Sequence, residues 1–580
     1  MLRYKQYIKG YGHCFLLAPV FMVLEATGEF ILPYISANII NKGAATGDLP
    51  YMLKNGLYML LLALFMLITG VLGANFAIRG ASNLAADIRK NAFLKIQKFS
   101  FADIDAFTTG SLITRITNDV TQIQGFTQSL LRGVFRSPVM LIGALVMSFS
   151  LNPRLAKIFI AVVPFLSLVM FFVIRTCNPR YTKMQQQIDC LNTEIGETVT
   201  NERVIKSFVR EQYQQQKFAK TNAKLAERTV SALKIMIIMM PLYGIIINIT
   251  MLAVVWFSGK LINVGGMELG TLTAFITYLT QVLTALNFVA NIILQGTRAA
   301  ASSRRIAEVL DAEPSLNDNS AAFPNREISR GDVEFKNVSF KYFKNNKENV
   351  LSNISFKING GETVGVIGST GAGKTTLVSL ISRLYDVDSG EVLIDGVNVK
   401  DYSLENLRKH IAVVLQQNTL FSGSIAENLR WGDENADDKA LRKAAEIACA
   451  DGFISSFKDG YNTELSEGGK NLSGGQKQRI CIARALLKKP KILILDDSTS
   501  AVDTATDAAI RKALKEEQSG ITTFVIAQRI NTVACADRII VLDKGELVGV
   551  GTHEQLLNTC SAYKEIYLSQ KGLTEGGALQ

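Results

Sequence analysis

Long apolar runs alternate with polar stretches in the first half of the chain only. Up to about residue 310, each apolar run approaches the ~20 residues that a helix needs to cross a bilayer. Six spans are predicted, near 14–40, 52–79, 130–151, 155–177, 235–262 and 269–297. The pattern therefore predicts a six-helix α-helical transmembrane domain over residues 1–310.

Two long polar connections separate some of these spans. Their apolar residues recur at helical spacing, which predicts helices that continue beyond the membrane. Both connections are rich in Lys and Arg, whereas the short loops carry few. Because basic loops stay on the cytoplasmic side, both termini are expected in the cytoplasm and the chain is predicted to be multi-pass in the plasma membrane.

The pattern changes after the last span. Pro, Asn, Asp and Ser cluster and hydrophobic periodicity stops over 311–330, which predicts a linker. From 331 to 570, short β-rich runs alternate with helical patterns, which indicates an α/β domain. The Gly-rich tail 571–580 is predicted to be disordered.

Composition agrees with a membrane protein that carries a soluble part. The 580 residues are 48% hydrophobic, with a mean hydropathy of +0.19. Cytoplasmic basic residues account for the net charge of +11 without a nucleic-acid partner. The seven cysteines include no CxxC pair and are interpreted as reduced thiols. The stretch "FLLAPVFMVL" is similar to a signal-peptide core, but Glu25 and Glu29 follow it, so we interpret it as a retained span.

A glycine-rich loop in the second domain predicts nucleotide binding. "GSTGAGKT", residues 368–375, lies directly after an apolar strand and before an apolar-periodic helix. The glycines allow backbone N–H groups and the helix N-terminus to face phosphate, while Lys374 reaches the β- and γ-phosphates of ATP. The expected ATP-binding residues of this loop are Gly368, Ser369, Thr370, Gly371, Ala372, Gly373, Lys374, Thr375 and Thr376.

A second strand, "KILILDD", ends on two adjacent carboxylates, Asp496 and Asp497. Oxygen ligands suit Mg²⁺, so Asp496 is expected to hold that ion through water, together with the Thr375 hydroxyl. The second carboxylate needs a separate explanation, either as a catalytic base or as a residue that has replaced one.

The segment "NLSGGQKQRICIARALL", which precedes that strand, resembles the signature of ATP-binding-cassette (ABC) proteins. With six spans ahead, the whole chain resembles a half-size ABC exporter of the type I class, with the type IV fold. The resemblance implies an aromatic that stacks on adenine, a loop glutamine that also serves the metal, the signature and the D-loop aspartate. In this chain these are Tyr342, Gln416, Leu472, Ser473, Gly474, Gly475, Gln476 and Asp503.

The resemblance also implies a dimer. In that family, each ATP lies between one chain's phosphate loop and the other chain's signature. Segments 109–120 and 197–212 match the cytoplasmic loops whose short coupling helices dock on the ATPase domains.

Two positions depart from active members of the family. Those members have Glu after the metal-binding Asp, and this chain has Asp497; they have His in the switch segment, and this chain has Gln528. The shorter carboxylate is retracted by roughly 1.5 Å, a misplacement that can cost about 10²-fold in rate. Gln cannot accept and pass a proton, and the histidines His13, His410 and His553 lie elsewhere.

Both losses affect catalysis and leave the binding residues intact. The resemblance then implies the degenerate-site subunit of a heterodimeric bacterial exporter, whose partner half-transporter supplies the catalytic Glu and the switch His. The alternatives are a slow homodimeric exporter and a non-hydrolysing ATP-binding regulatory subunit. A soluble DNA-repair or translation ATPase is excluded by the six spans.

Polar residues inside the spans are candidates for a substrate cavity. Glu25 and Glu29 lie one helical turn apart in the first span, where they either meet a cationic substrate or pair with other helices. Asn287, Asn291 and Gln295 recur every four residues on the last span, where they either line the cavity or bond between helices. Drugs, lipids and peptides all remain open as exported amphiphiles.

Overall fold

The computed structural model describes residues 4–318, 321–342, 348–497, 503–517 and 520–571. The chain forms two compact units, described in turn. The first contains the residues up to Gln97 together with Gly110–Ala312, and the second contains Lys98–Thr109 together with the residues from Glu313 onward. The predicted linker at 311–330 and the other sequence-based boundaries remain predictions, and the tail predicted to be disordered lies outside the described residues apart from Lys571.

Long helices make up the first unit. They are α1 Lys5–Ile8, α2 Gly12–Asn38, α3 Leu49–Ile96, α5 Thr109–Thr114, α6 Val120–Gly133, α7 Arg136–Leu151, α8 Pro153–Thr200, α9 Glu202–Ser207, α10 Glu211–Asn263 and α11 Leu269–Asp311, with α4 Phe101–Phe107 belonging to the second unit. Local chemistry fixes two of the starts. Asp48 caps α3 and Asn152 caps α8, each with Pro in the first turn, where its missing N–H costs nothing.

Among the described residues, five helical stretches are long and apolar enough to cross a membrane. They are Gln6–Ala44, Leu49–Ile96, Thr109–Leu151, Gly244–Asn263 and Leu269–Asp311. The predicted span 155–177 lies inside α8 but outside these stretches, and some of its side chains are not among those described. Leu60, Leu67 and Val71 of α3 are more than half exposed in the isolated chain, as expected of side chains that face lipid.

The second unit is an α/β domain with short elements. Its strands are β1 Val333–Phe340, β2 Leu351–Ile358, β3 Thr363–Gly368, β4 Ser389–Ile394, β5 Val397–Asn398, β6 Ile411–Val414, β7 Gly423–Ser424, β8 Glu464–Leu465, β9 Ile492–Asp496, β10 Thr522–Ile526, β11 Arg538–Asp543 and β12 Glu546–Gly551. Its helices after α4 are α12 Lys374–Ile381, α13 Leu404–Lys409, α14 Ile425–Arg430, α15 Asp438–Ile447, α16 Asp451–Ser456, α17 Gly474–Leu487, α18 Thr504–Glu517, α19 Ile530–Val533, α20 His553–Thr559 and α21 Ser561–Lys571.

Over the described residues, the larger sheet has the strand order β12-β11-β3-β10-β9-β6, in which only β12 is antiparallel to its neighbour. A second, antiparallel sheet has the order β2-β1-β4-β5. Buried strands such as β9, which is apolar until its final Asp496, form the core between the layers. The predicted fold class, a helical transmembrane domain followed by an α/β domain, is confirmed. The parallel strands place the carboxyl ends of β3, β9, β10 and β6 at one edge.

Candidate functional site

The predicted phosphate loop joins β3 to α12. Gly371 and Gly373 have φ angles of +83° and +91°, a left-handed conformation that residues with a side chain rarely adopt. At Gly368, an added Cβ would lie 2.1 Å from the carbonyl oxygen of Leu542 on β11. The loop can therefore curl tightly over the edge of the sheet only with glycine at these positions. Ser369, Thr370 and Ala372 complete the loop, and α12 begins at Lys374.

The Lys374 ammonium folds back over this loop. Its Nζ donates to the carbonyl oxygens of Gly368 and Ser369, each at 2.8 Å. Burial lowers the pKa of Lys374 below its ordinary value, and the carboxylates of Asp497 and Asp496 only partly oppose this. The cation is thus held where the backbone N–H groups of a phosphate loop converge.

Thr375 and Asp496 meet at the same sheet edge. Asp496 lies opposite Ile526 of β10, which in turn lies opposite Val366 of β3. The Thr375 Oγ1 donates to Asp496 Oδ1 at 3.1 Å, and only 2% of Asp496 is exposed. Burial raises the pKa of Asp496, the hydrogen bond from Thr375 lowers it, and the adjacent Asp497 raises it further.

These oxygen donors fit magnesium. Mg²⁺ prefers hard oxygen ligands and usually keeps several waters beside one or two protein groups. Gln416 follows β6 by two residues, and β6 is the parallel neighbour of β9 with Val414 opposite Leu495. Its backbone therefore lies at the same edge as Asp496, as the predicted metal role requires.

Asp497 and Gln528, the two departures from the family pattern, contact each other. Gln528 Nε2 donates to Asp497 Oδ2 at 2.9 Å. Partial burial raises the pKa of the Asp497 carboxyl, and the hydrogen bond from Gln528 opposes that rise. The Asp497 backbone has φ +45°, a left-handed conformation that Asp tolerates better than most residues. The Gln528 amide thus donates a hydrogen bond to one oxygen of the carboxylate at the position predicted for the catalytic base.

Gln570 of α21 is hydrogen-bonded to the switch segment, and no motif in the sequence marks this residue. Its Nε2 donates to the backbone carbonyl of Gln528 at 2.7 Å, and its Oε1 accepts from the N–H of Ile530 at 2.8 Å. These two bonds fix the backbone on both sides of residue 529. The position of the Gln528 side chain therefore depends on a residue 42 positions further along the chain.

The signature segment forms a capped helix start. Ser473 caps α17: its Oγ accepts from the N–H of Gln476 at 3.3 Å, and Gln476 Oε1 accepts from the N–H of Ser473 at 2.9 Å. Gly474 and Gly475 form the first turn, and Leu472 is buried beside it. An exposed serine hydroxyl and free N–H groups at a helix N-terminus can bind an anion.

The D-loop aspartate is the first described residue after a gap. Asp503 accepts from the N–H and Oγ1 of Thr506 at 2.9 and 2.7 Å, which begins α18. Hydrogen bonds from Thr506 lower the pKa of Asp503. Ser500, Ala501 and Val502, which complete the predicted motif, lie outside the described residues.

Tyr342 belongs to an aromatic cluster beside the phosphate loop. Its hydroxyl shares a hydrogen bond with Thr376 Oγ1 at 2.8 Å, one residue from Thr375. The rings of Phe340 and Tyr385 meet the Tyr342 ring edge-on, with centroids 5.1 and 5.2 Å away. The Tyr342 ring remains 37% exposed, which leaves surface for a base to stack on. Sequence reasoning identified Tyr342 and missed Tyr385.

Helix α4 belongs to the second unit, whereas the predicted segment 109–120 lies in the first unit apart from Thr109, and its docking role stays a prediction. The unit boundary places Lys98–Thr109 with the α/β domain and returns Gly110 to the first unit. The rest of the predicted segment forms α5 and the residues after it. The second predicted segment, 197–212, contains the exposed helix α9 within the first unit.

Inside the first unit, Arg136 of α7 forms ion pairs with both predicted glutamates of α2. Arg136 Nη2 donates to Glu29 Oε1, and Arg136 Nε lies 3.7 Å from Glu25 Oε2. Pro33 has no N–H for the carbonyl of Glu29 four residues earlier, and Gln281 of α11 donates to that carbonyl at 2.7 Å instead. The glutamates therefore have a partner on a neighbouring helix, which the sequence did not reveal; their cavity role remains a prediction.

Two residues of the predicted amide stripe of α11 form side-chain hydrogen bonds. Asn287 Nδ2 donates to the carbonyl of Leu283 at 3.1 Å, and Gln295 Oε1 accepts from Ser129 of α6 at 2.7 Å. The Gln295 bond joins two helices, as the second interpretation of the stripe requires. Asn291 is exposed in the isolated chain. The role of the stripe in a cavity also remains a prediction.

Comparison with known proteins gives a consistent result over the whole chain. Residues 15–286 match the family described as ABC transporter transmembrane region, and 351–500 match the ABC transporter family. The chain is 38% identical to the uncharacterised ABC transporter ATP-binding protein YfiB of Bacillus subtilis over 98% of both chains. It is 33% identical to the putative multidrug export ATP-binding/permease protein YgaD of the same organism, over 98% of this chain and 99% of the relative.

Two further matches extend this result. The ATP-dependent lipid A-core flippase of Syntrophus aciditrophicus is 35% identical over 84% of this chain and 80% of the flippase. The structure of a bacterial Atm1-family ABC exporter with ATP bound matches with a TM-score of 0.81 and 26% identity, over 97% of this chain and 99% of the other. The chain therefore belongs to the ABC transporter family, as a half-size exporter with a multi-pass membrane domain and a cytoplasmic ATPase domain that uses ATP and Mg²⁺.

Proposed function

We propose that this chain is the degenerate-site subunit of a heterodimeric exporter of small amphiphilic molecules. The observation that carries the proposal is the contact between Gln528 Nε2 and Asp497 Oδ2 at 2.9 Å. An attacking water needs a base or orienting carboxylate in this position. Here the carboxylate is shortened and one of its oxygens accepts from an amide that cannot relay a proton.

The groups that would bind ATP are intact. In this proposal Lys374 and the loop glycines hold the phosphates, Thr375 and Asp496 hold the metal, and Tyr342 stacks on the base; the contacts of Lys374 and Thr375 and the φ angles of the loop support these roles. Bound Mg²⁺ would neutralise charge on the β- and γ-phosphates. This chain's own site is thus expected to bind ATP tightly and hydrolyse it slowly.

The signature of this chain is the part that serves hydrolysis. Ser473 and the first turn of α17 present a hydroxyl and N–H groups at a helix N-terminus. In a heterodimer they would complete the site on the partner's phosphate loop, where the partner supplies Glu and His. ATP binding would close the ATPase dimer and switch the spans from inward to outward access, and hydrolysis at the partner's loop would reset them.

The substrate class rests on the relatives and on composition. One relative is named as a putative multidrug exporter and another as a lipid A-core flippase. Drugs and lipids share an amphiphilic character that a mostly apolar membrane path would accommodate. Glu25, Glu29, Asn287, Asn291 and Gln295 are the polar positions that we propose as contacts along this path.

The test is to replace both departures together by the residues that active family members have. We expect Asp497→Glu with Gln528→His to raise ATP hydrolysis by the purified full-length chain at least about tenfold, because each residue restores a general-catalysis term. The same pair with Lys374→Ala should return to background, which assigns the gain to this phosphate loop. A wild-type chain that already hydrolyses ATP rapidly through Lys374, with no gain from the pair, would contradict the proposal.

A further inference from the structure

An aromatic cluster connects helix α4 with the residue proposed to stack on adenine. Tyr385, in the turn after α12, meets the Tyr342 ring edge-on at an interplanar angle of 87°. It also contacts Phe340, at 5.6 Å between centroids, and Phe101 of α4, at 6.2 Å. Edge-to-face contacts fix the relative orientation of rings. Tyr385 is therefore shared between the base-stacking residue and α4.

The hydroxyl of Tyr385 adds a directional bond to the same helix. It donates to Asp105 Oδ2 of α4 at 3.2 Å. Burial raises the pKa of the Tyr385 phenol, and the Asp105 carboxylate raises it further, so the hydroxyl stays protonated at neutral pH. The phenol therefore remains a hydrogen-bond donor to the Asp105 carboxylate at neutral pH.

Helix α4 is capped at its start and hydrogen-bonded to residue Ser315 of the second unit. Ser100 and Asp103 form a capping box at its start. Ser100 Oγ lies 2.6 Å from Ser315 Oγ, and the N–H of Ser315 donates to Asp103 Oδ2 at 3.1 Å. Asp105 takes no part in the capping box, so the structure of α4 does not depend on it. The Asp105–Tyr385 bond can therefore report how an intact α4 packs on the α/β domain, which we call the seating of α4.

We propose that Tyr385 is a positioning residue that couples the seating of α4 to base recognition at Tyr342. Through Asp105 the helix fixes the Tyr385 ring, and the edge of that ring fixes the face that Tyr342 offers to adenine. Tyr342 is anchored on its other side by Thr376, beside the metal-binding Thr375. The inference rests on the proposed assignment of Tyr342 as the stacking residue.

Coupling of this kind is reciprocal. If α4 seating strengthens adenine binding, adenine binding must strengthen α4 seating by the same factor. A nucleotide whose base stacks less well should then seat α4 less well, although its triphosphate binds the same loop. The proposal thus distinguishes the base from the phosphates as the source of the signal to α4.

The test is a double-mutant cycle read out as base discrimination. The Kd values of Mg·ATP and Mg·CTP are measured for the full-length chain in nanodiscs. The Kd for CTP divided by the Kd for ATP, the discrimination ratio, is then compared among variants. Tyr385→Phe and Asp105→Ala each remove one partner of the bond while keeping the rings. Tyr342→Ala removes the stacking face. Tyr461→Phe is the matched control, because Tyr461 donates to Asp451 at 2.7 Å in the same unit.

We expect Tyr342→Ala to lower the ratio most. Tyr385→Phe and Asp105→Ala should each lower the ratio about threefold to tenfold, the range for losing one hydrogen bond. The double variant Tyr385→Phe, Asp105→Ala should lower the ratio no further, because both changes remove the same bond. Tyr461→Phe should leave it unchanged. A variant that only loosened the fold would weaken both nucleotides equally and keep the ratio.

A second readout follows the helix. Amide hydrogens of residues 101–107 should exchange more slowly with Mg·ATP than with Mg·CTP at saturation, and Tyr385→Phe should abolish that difference. The inference is overturned, and the Tyr342 assignment stands, if Tyr342→Ala lowers the ratio while Tyr385→Phe and Asp105→Ala do not. The same holds if the effects of Tyr385→Phe and Asp105→Ala add in the double variant. If Tyr342→Ala leaves the ratio unchanged, the assignment fails and the inference with it.

Discussion

Replacing Arg136 by Met would leave two carboxylates in the membrane domain without the cation that they share. In the structure Arg136 contacts Glu29 directly and lies 3.7 Å from Glu25, and the three side chains are only 22–26% exposed. The Met side chain is apolar and flexible, so it fills space without supplying a donor. The perturbation therefore removes charge compensation and keeps most of the packing.

The magnitude follows from distance and burial. A unit charge pair at this separation is worth about 4 kcal/mol at an effective dielectric constant of about 20. Loss of one partner from a buried pair typically costs about 3–5 kcal/mol. Because about a quarter of each side chain is exposed, we expect Arg136→Met to lower the free energy of unfolding of the membrane domain by about 2–4 kcal/mol.

The two tryptophans of the chain provide the assay, because one lies in each unit. In a Trp431→Phe background, Trp256 of α10 alone reports unfolding of the membrane domain in detergent. The triple variant Glu25→Gln, Glu29→Gln, Arg136→Met removes all three charges and should recover most of the lost stability.

The matched control for this series is Lys206→Met. Lys206 pairs with Glu202 at 3.4 Å in the same unit, but both side chains are about 65% exposed, so we expect a loss below about 1 kcal/mol. Wild-type stability for Arg136→Met would contradict a shared ion pair of this strength, and so would a triple variant as unstable as the single one.

Two further predictions concern the ATPase domain. Thr375→Val removes the hydroxyl that lies 3.1 Å from Asp496 and is proposed to hold Mg²⁺. Equilibrium dialysis should therefore show ATP binding weakened about tenfold or more with Mg²⁺ and little changed in EDTA. Although burial raises the pKa of Asp395, N–H donors of residues 329–332 lower it overall. The ionised Asp395 carboxylate should stabilise the fold above the unfolded pKa of about 3.9, and this stabilisation should be lost as pH falls through the folded pKa. Acid-unfolding curves of the wild-type chain should show the loss, and those of Asp395→Asn should not.

The sequence alone indicated where the residues of the predicted nucleotide site lie along the chain, because each part of the site is a local pattern. The phosphate loop and the doubled aspartates each follow a buried strand, and parallel strands bring their ends to one edge without further information. Thr375 and Asp496 meet although 121 residues separate them. The partners of Asp497 and Tyr342 were harder to find. Gln528 was identified only through the family resemblance, and Tyr385 follows α12 in a turn with no motif of its own.

Long-range polar partners are where sequence reasoning failed. Arg136 lies 107 residues from Glu29, and Asp105 lies 280 residues from Tyr385. Nothing in the local pattern of either residue specifies its partner, because tertiary packing brings them together. Helix α4, which begins at the Ser100 capping box and belongs to the second unit, also had no motif that marked it in the sequence.

We expect this chain to bind ATP at its own phosphate loop without hydrolysing it efficiently. The most direct measurement is the steady-state ATPase rate of the purified full-length chain in nanodiscs, taken together with Mg·ATP binding in the same sample. We predict stoichiometric, Lys374-dependent binding and a rate at least about tenfold below that of the Asp497→Glu, Gln528→His variant of the same chain measured alone. Rapid, Lys374-dependent hydrolysis by the wild-type chain alone would contradict it.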